Sequence, residues 1–400
     1  MTKSKVYFGS IQQGQAHGFA SLGAKLDTLL EHLDFSSIEK NDKVAVKMHL
    51  GFHDGYQTVP VFFVRRIVNA VKAAGGWPFV TDNPTAVYNA AERGYTQETC
   101  GCPIIPVSGV KDGYTTIVKI NFKKVKELAL GGVLHDADVL IDLAHAKGHA
   151  NCGYGGAVKN IALGGYSGPS RWNRIHGVEN VDPWWDPKKM SPEHAQKLVE
   201  SCPYGALSYD KEKHLLNITR FQCYYGNCTE CMKADKDVGA LNIQGEQFEA
   251  FQEMMAISAQ HVLDTFDENK RFFINIALDI TPHCDCMGII QPAVVPHIGI
   301  IAGRDIVAVD QATLDLIKEK GLIESEIPPY FQHANLDPEA DLHPFQRLWG
   351  PYKNPYLVTM HAEKLGLGTR EYDLVEVLPP KKTMRMKPPK QEFERAPSFY

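Results

Sequence analysis

The chain has 400 residues, 44% of them apolar, with 33 glycines, 24 prolines and 9 cysteines. That is enough apolar material for one large core or two, and it excludes the disordered and fibrous classes. A net charge of −5 and a pI near 6.3 create no basic field, so no nucleic-acid partner is expected.

The opening MTKSKVYFGSIQQGQAHGFA lacks the apolar stretch of a signal peptide, and no later run approaches roughly eighteen apolar residues. A cytoplasmic protein with no membrane span is therefore expected. Cysteines odd in number and scattered along a large chain fit reduced thiols and metal ligation better than a disulfide scaffold.

In chain order, Val44 to Leu50 (VAVKMHL) reads as a buried parallel strand that ends in polar residues at Gly51. A helix is predicted from about Pro60 to Ala74, stopped by Gly75-Gly76, and Trp77 to Thr81 reads as the next strand, with Asp82 and Asn83 just beyond it. The same pattern recurs at Ala137 to Leu143, whose exit carries His145, Lys147 and His149, and at Phe272 to Asp279, whose exit carries His283 to Cys286. A further unit runs through HIGIIAGRDIVAVD into a helix from about Gln311 to Lys320. Strands alternating with helices predict an α/β fold, a mostly parallel sheet flanked by helices, with its strand exits on one ligand-binding edge.

Residues 182–245 interrupt this alternation with clustered cysteines and short apolar runs, which predicts a small inserted domain stabilised by a cofactor. The α/β core domain is then 1–181 together with 246–323. Residues 324–400 form a C-terminal extension with one helix, around Pro355 to Leu365, and a Pro-rich tail.

Within the insertion, Cys223, Cys228 and Cys231 form C-x4-C-x2-C, and Cys202 precedes Pro203. Three closely spaced thiolates plus a distant Cys-Pro cysteine resemble the ligand set of one bacterial-type ferredoxin cluster. These residues predict one [4Fe-4S] cluster and a ferredoxin-like insertion. Structural zinc on the same four thiolates is the runner-up, and unligated buried cysteines are the third alternative. Cys100 and Cys102 read as small buried hydrophobes.

Two loops at strand exits carry the remaining chemistry. His145 to Asn160 gathers Lys147, His149, Gly155, Gly156, Lys159 and Asn160, glycines for close backbone approach and lysines for charge, which suits a phosphate or carboxylate. A Gly-rich turn with solvated lysines is the plainer alternative. Thr281 to Cys286 offers His283, Asp285 and two thiols, Cys284 and Cys286, for substrate contact, for a second metal site or simply for a turn.

The stretches VAVKMHLG (44–51), WPFVTDN (77–83), AHAKGHANCGYGGAVKN (144–160), SCPYGAL (201–207), CYYGNCTEC (223–231), DITPHCDC (279–286) and GIIAGRDIVAVDQATLDL (299–316) resemble the uncharacterised iron-sulfur centre family, domain of unknown function 362. The closing HAEKLGLGTREYDLVEV (361–377) is similar to it as well. Many members look as though they carry two C-x2-C-x2-C-x3-CP repeats. Carried over, the first repeat keeps only Cys202 and the second keeps Cys223, Cys228 and Cys231, which implies one cluster.

The leading expectation is an iron-sulfur oxidoreductase with a small anionic substrate oriented by Lys47, Lys147 and Lys159. His49, His149 and His283 are the candidate proton carriers, and Asp82 and Asp285 would orient a histidine or a substrate hydroxyl. A ferredoxin or flavoprotein would be the electron partner, and an oligomer stays open. The alternatives are an electron-transfer or cluster-handling module, and a non-redox lyase or hydrolase with a structural or Lewis-acid metal.

Overall fold

The computed structural model describes residues 3–389 apart from 182, 183 and 338. The expected boundary at 182, and the tail from 390 onward, lie outside the described residues.

Eight strands form the central sheet: β1 (Ser4–Ser10), β2 (Lys43–Lys47), β3 (Trp77–Asp82), β4 (Ile104–Pro106), β5 (Val139–His145), β6 (Arg271–Ala277), β7 (Gly299–Gly303) and β8 (Tyr372–Glu376). Their spatial order is β8-β1-β7-β6-β5-β2-β3-β4, and every neighbouring pair is parallel except the two made by β7. The expectation that all strands exit on one edge is corrected at β7. Residues 278–298 contain no α-helix and three prolines, and a return without a crossover helix favours an antiparallel neighbour.

Alternate side chains of each strand enter opposite cores. Val44 and Val46 join α1 (Leu22–Leu33) and α2 (Val61–Ala73) on one face. Ala45 and Leu140 point to the other face, covered by α3 (Ala157–Gly164), α4 (Ala250–Leu263) and α5 (Ile306–Lys320). Burial on both sides explains why β5 is buried at all seven positions and reads as a continuous apolar run. Helix α5 begins a turn before the predicted Gln311 because Asp305 caps it, accepting from the N–H groups of Val307 and Ala308.

The insertion contains the Pro192–Ser201 and Glu230–Asp235 helices and a hairpin pairing Leu207–Asp210 with Leu215–Ile218. It has a small core of its own, including Trp184, Leu198, Leu216 and Phe248. The C-terminal extension holds more than the single predicted helix. Leu357–Lys364 is joined by a Pro344–Trp349 helix and by β8, which extends the sheet beside β1. Among the described residues no helix is long and apolar enough to cross a membrane.

Candidate functional site

The carboxyl ends of four parallel strands, β2, β3, β5 and β6, deliver the polar side chains. Strand β2 ends at Lys47 with His49 just beyond, β3 ends at Asp82, and β5 ends at His145. The chain then folds a tight hairpin, Lys147–His149 against Gly153–Gly155, before entering α3 with Lys159 and Asn160 in its first two turns. Gly148 has to be glycine because a Cβ would strike the carbonyl of Pro282 in the loop leaving β6. No side chain of its own caps α3. Instead, Asp310 from α5 accepts from the N–H groups of Ala157 and Val158, which fixes the helix that carries Lys159.

These elements enclose a cavity of about 80 Å³, walled by Lys47, His49, Lys147, Lys159, Arg171 and Cys286 among others. A water needs roughly 10–15 Å³ of such space, so the cavity suits several waters or one small ligand. A larger groove of about 1020 Å³ between α1 and α2 contains no thiol or imidazole and lies away from the strand exits.

At the wall, Asp82 Oδ2 lies 2.8 Å from His49 Nδ1 and also accepts from the Leu50 N–H, while its Oδ1 is 3.2 Å from Lys47 Nζ. Burial pushes the Asp82 carboxyl up, but Lys47 and His49 outweigh it and hold the group well below the carboxylate range. Facing His49, the sulfurs of Cys284 and Cys286 are 2.9 Å apart, and Lys159 Nζ donates to Cys284 Sγ at 2.8 Å. Burial raises the Cys284 thiol; the hydrogen bond from Cys286, the Lys159 ammonium and His49 reverse that and place it well below the usual thiol range. Its neighbour is driven the other way, because Cys286 donates to the Cys284 sulfur and is itself desolvated. Of the two sulfurs, Cys284 is the one whose surroundings favour the thiolate. His49, Cys284 and Cys286 bring one ligand atom each within 4.8 Å of one another, an arrangement able to hold a metal ion.

The predicted residues do not all converge on this wall. Lys47 is buried against Asp82, Asn160 Oδ1 and the Met48 carbonyl, and Asn160 donates to Asp142, so both tie the wall together. Lys147 reaches the His145 carbonyl and lies 3.2 Å from Asp285, whose other oxygen is 2.8 Å from His145 Nδ1. Gly156 abuts Tyr154 and Asp310, and Gly155 backs onto the Lys159 side chain. His149 contacts Cys152 Sγ and stacks with His176 and Phe251; burial, helped by Lys159, holds it well below the imidazole range. His283 turns toward Trp349, with ring centroids 4.5 Å apart, and burial lowers it to about 4. Of the three histidines proposed as proton carriers, His49 is the one on the cavity wall.

Sequence reasoning missed Arg171, Trp172 and His176, which complete the cavity. Arg171 and Trp172 lie on a π-helical turn, Ser170–Ile175, a conformation enriched at functional sites, and Arg171 Nε is buried without a hydrogen-bond partner among the described residues. The signal was the basic and aromatic cluster SRWNRIH, which follows no apolar strand and so escaped a search keyed to strand exits.

In the insertion, Cys202, Cys223, Cys228 and Cys231 line one cavity. The Ala206 N–H donates to Cys202 Sγ at 3.2 Å. Burial raises Cys223 to about 11 and Cys231 to about 12, and the other three thiols contribute to the Cys231 shift. Tyr204 and Tyr224 line the same cavity and stack at 4.0 Å; Tyr224 then stacks on Trp349 at 5.1 Å. Cys100 and Cys102 are buried in the α1/α2 core, as expected.

Fold and site together define a three-layer α/β protein with a histidine and two cysteines able to hold a metal ion at the carboxyl edge of its sheet. The chain belongs to the family described as domain of unknown function (DUF362), whose model matches residues 44–315. Among solved structures it is similar to the lactate racemase apoprotein from Thermoanaerobacterium thermosaccharolyticum, with 12% identity and a TM-score of 0.29. That alignment covers 45% of this chain and 43% of the other, and the likeness is too slight to bear on the reaction. No curated protein matches the chain.

Proposed function

We propose that the protein is an iron-sulfur oxidoreductase acting on a small anionic substrate in the strand-exit cavity. The observation that carries this reading is the ring series Tyr224, Trp349 and His283, which joins the wall of the four-cysteine cavity to the residue beside Cys284 in steps of 5.1 and 4.5 Å. Two separate thiol sites connected by packed rings are what a redox centre and its substrate need.

Three closely spaced cysteines with a distant Cys-Pro cysteine, all four lining one cavity, favour a cluster over one zinc ion. The N–H donated to Cys202 Sγ and the nearby Lys353 ammonium, which lowers the Cys223 thiol against its burial, both favour thiolate ligands. A [4Fe-4S] cluster on Cys202, Cys223, Cys228 and Cys231 would supply one-electron chemistry, with a ferredoxin or flavoprotein as electron partner.

In the substrate cavity, Lys147, Lys159 and Arg171 supply the positive charge that selects an anion, and the volume limits that anion to a few heavy atoms. His49, oriented by Asp82, and Cys286 form the reactive wall.

The test begins with protein purified without oxygen, which should contain about four irons per chain and show visible absorption bleached by dithionite. From a panel of small carboxylates and oxyanions, one should reoxidise the reduced protein, and Lys159→Met should abolish that reaction at unchanged iron content. Stoichiometric zinc without iron would sink the cluster. Equal loss of iron and reaction in Lys159→Met would remove Lys159 from the substrate site. The metal-ligand triad favours a second reading, a non-redox lyase or hydrolase using a Lewis acid, which turnover without any electron donor would distinguish.

A further inference from the structure

We propose that His49, Cys284 and Cys286 hold a single divalent transition-metal ion of the zinc class, with its fourth coordination position open to the cavity and taken by the anionic substrate. This deepens the reading of that cavity as the substrate site and rests on it for the substrate alone.

The donor set carries the metal class. Two thiolates and one imidazole suit a soft or borderline ion, and three protein ligands rather than four are the mark of a site that keeps a position for chemistry. The three ligand atoms already lie within 4.8 Å of one another, although they come from loops after two different strands. Asp82 Oδ2 engages His49 Nδ1 at 2.8 Å, leaving Nε2 as the ligating nitrogen, the carboxylate–histidine–metal arrangement that fixes a ring and raises its basicity. Asp82 is fixed in turn by the Leu50 N–H and by Lys47, so the support extends to a further layer. Cys284 accepts from the Cys286 N–H and from Lys159.

The geometry needs one adjustment. Two sulfurs on one tetrahedral ion stand about 3.8 Å apart, against 2.9 Å here. Cys284 is 2% exposed and anchored by Lys159, whereas Cys286 is only half-buried on the cavity wall, so Cys286 is the sulfur that moves. The open position then faces the cavity between Lys147, Lys159 and Arg171, which would fix an anion while the metal polarises its bound oxygen.

The experiment uses the anaerobic full-length protein supplied with zinc and read by X-ray absorption at the zinc edge, which is blind to iron. The expected result is one zinc per chain with two sulfurs at about 2.3 Å and two nitrogen or oxygen neighbours at about 2.0–2.1 Å. His49→Ala and Cys286→Ser should each weaken zinc binding at least tenfold, and Asp82→Asn about 10–100-fold. Cys228→Ser should leave this zinc shell unchanged. A four-sulfur shell, or a shell and affinity unaltered in both His49→Ala and Cys286→Ser, would overturn the proposal. Iron measured on the same samples reports separately on the cluster, so the two readings fail independently. Native circular dichroism of each variant shows whether a lost site is merely a lost fold, and an unfolded His49→Ala leaves Cys286→Ser to decide.

Discussion

His343 shows how one side chain controls the placement of the ring beside His283. Its Nδ1 accepts the Phe345 N–H, and the Gln346 side chain accepts the His343 N–H, so the residue caps the Pro344–Trp349 helix that carries Trp349. Burial lowers its imidazole to about 3, with the Leu314 carbonyl opposing and Lys318 assisting. The unfolded chain, with a histidine near 6.5, therefore binds a proton between pH 6.5 and 3 that the native state refuses. Stability contributed by this residue is complete above that window and is lost as pH falls, by at most about 1.4 kcal/mol per unit. Denaturant titrations at pH 7 and 5 should show a fall of up to roughly 2 kcal/mol that His343→Asn reduces, since asparagine caps without titrating. Parallel falls in the two proteins would defeat this assignment.

At the scale of elements, β8 is the informative case. It pairs in parallel with β1, from Ser4 opposite Tyr372 to Phe8 opposite Glu376, and Tyr372 anchors to Asp315 through its hydroxyl. A chain stopped after Arg370 should expose the β1 edge, losing roughly 2–4 kcal/mol at about 1 kcal/mol for each of a few ladder hydrogen bonds, and should self-associate. A truncated chain that stays monomeric with an unchanged melting temperature would contradict this. The inner strands β2, β3, β5 and β6 were legible to within a few residues because burial on both faces writes a continuous apolar run. Strand β1 and the edge strand β8 were not: half-exposed positions dilute the run, and YDLVEV looks like an ordinary surface segment. The reversed direction of β7 exists only in its pairing with distant strands. Much the same division holds in the site. Lys47, His49, Asp82, Lys159 and Cys286 were legible because polar residues after an apolar strand must emerge at the sheet edge. That His49 meets Cys284 and Cys286 depends on β5 lying between β2 and β6, an order that no local pattern records.

At the scale of the whole molecule, the insertion packs against the C-terminal extension and has a small core of its own. Between Trp184 and Phe248 most of its buried apolar side chains form a cluster separate from both faces of the sheet, while Tyr224 joins the main core, and four thiols line a cavity beside this small cluster. The free energy of binding a metal or cluster at those thiols would therefore act as folding free energy for this unit. Its attachment to the rest includes aromatic contacts, Tyr224 on Trp349 and Tyr225 on Tyr352, and hydrogen bonds from Asn227 to the Arg347 carbonyl and from Lys353 to the Arg220 carbonyl. The flanking halves are held differently. Strand β5 precedes the insertion and β6 follows it, yet the two are adjacent and in parallel register from Leu140–Arg271 to His145–Ile276. Cys228→Ser, or removal of iron by a chelator, should then loosen the backbone at the already exposed Lys211, Lys213 and Lys233 and speed limited trypsin digestion there, while the two large fragments remain associated and keep the melting transition of the sheet. Because the loops after β2 and β6 supply His49, Cys284 and Cys286 and lie outside the insertion, the nicked protein should also retain zinc there. A single melting transition that falls for the entire molecule when iron is removed would show instead that the insertion is part of the main cooperative unit.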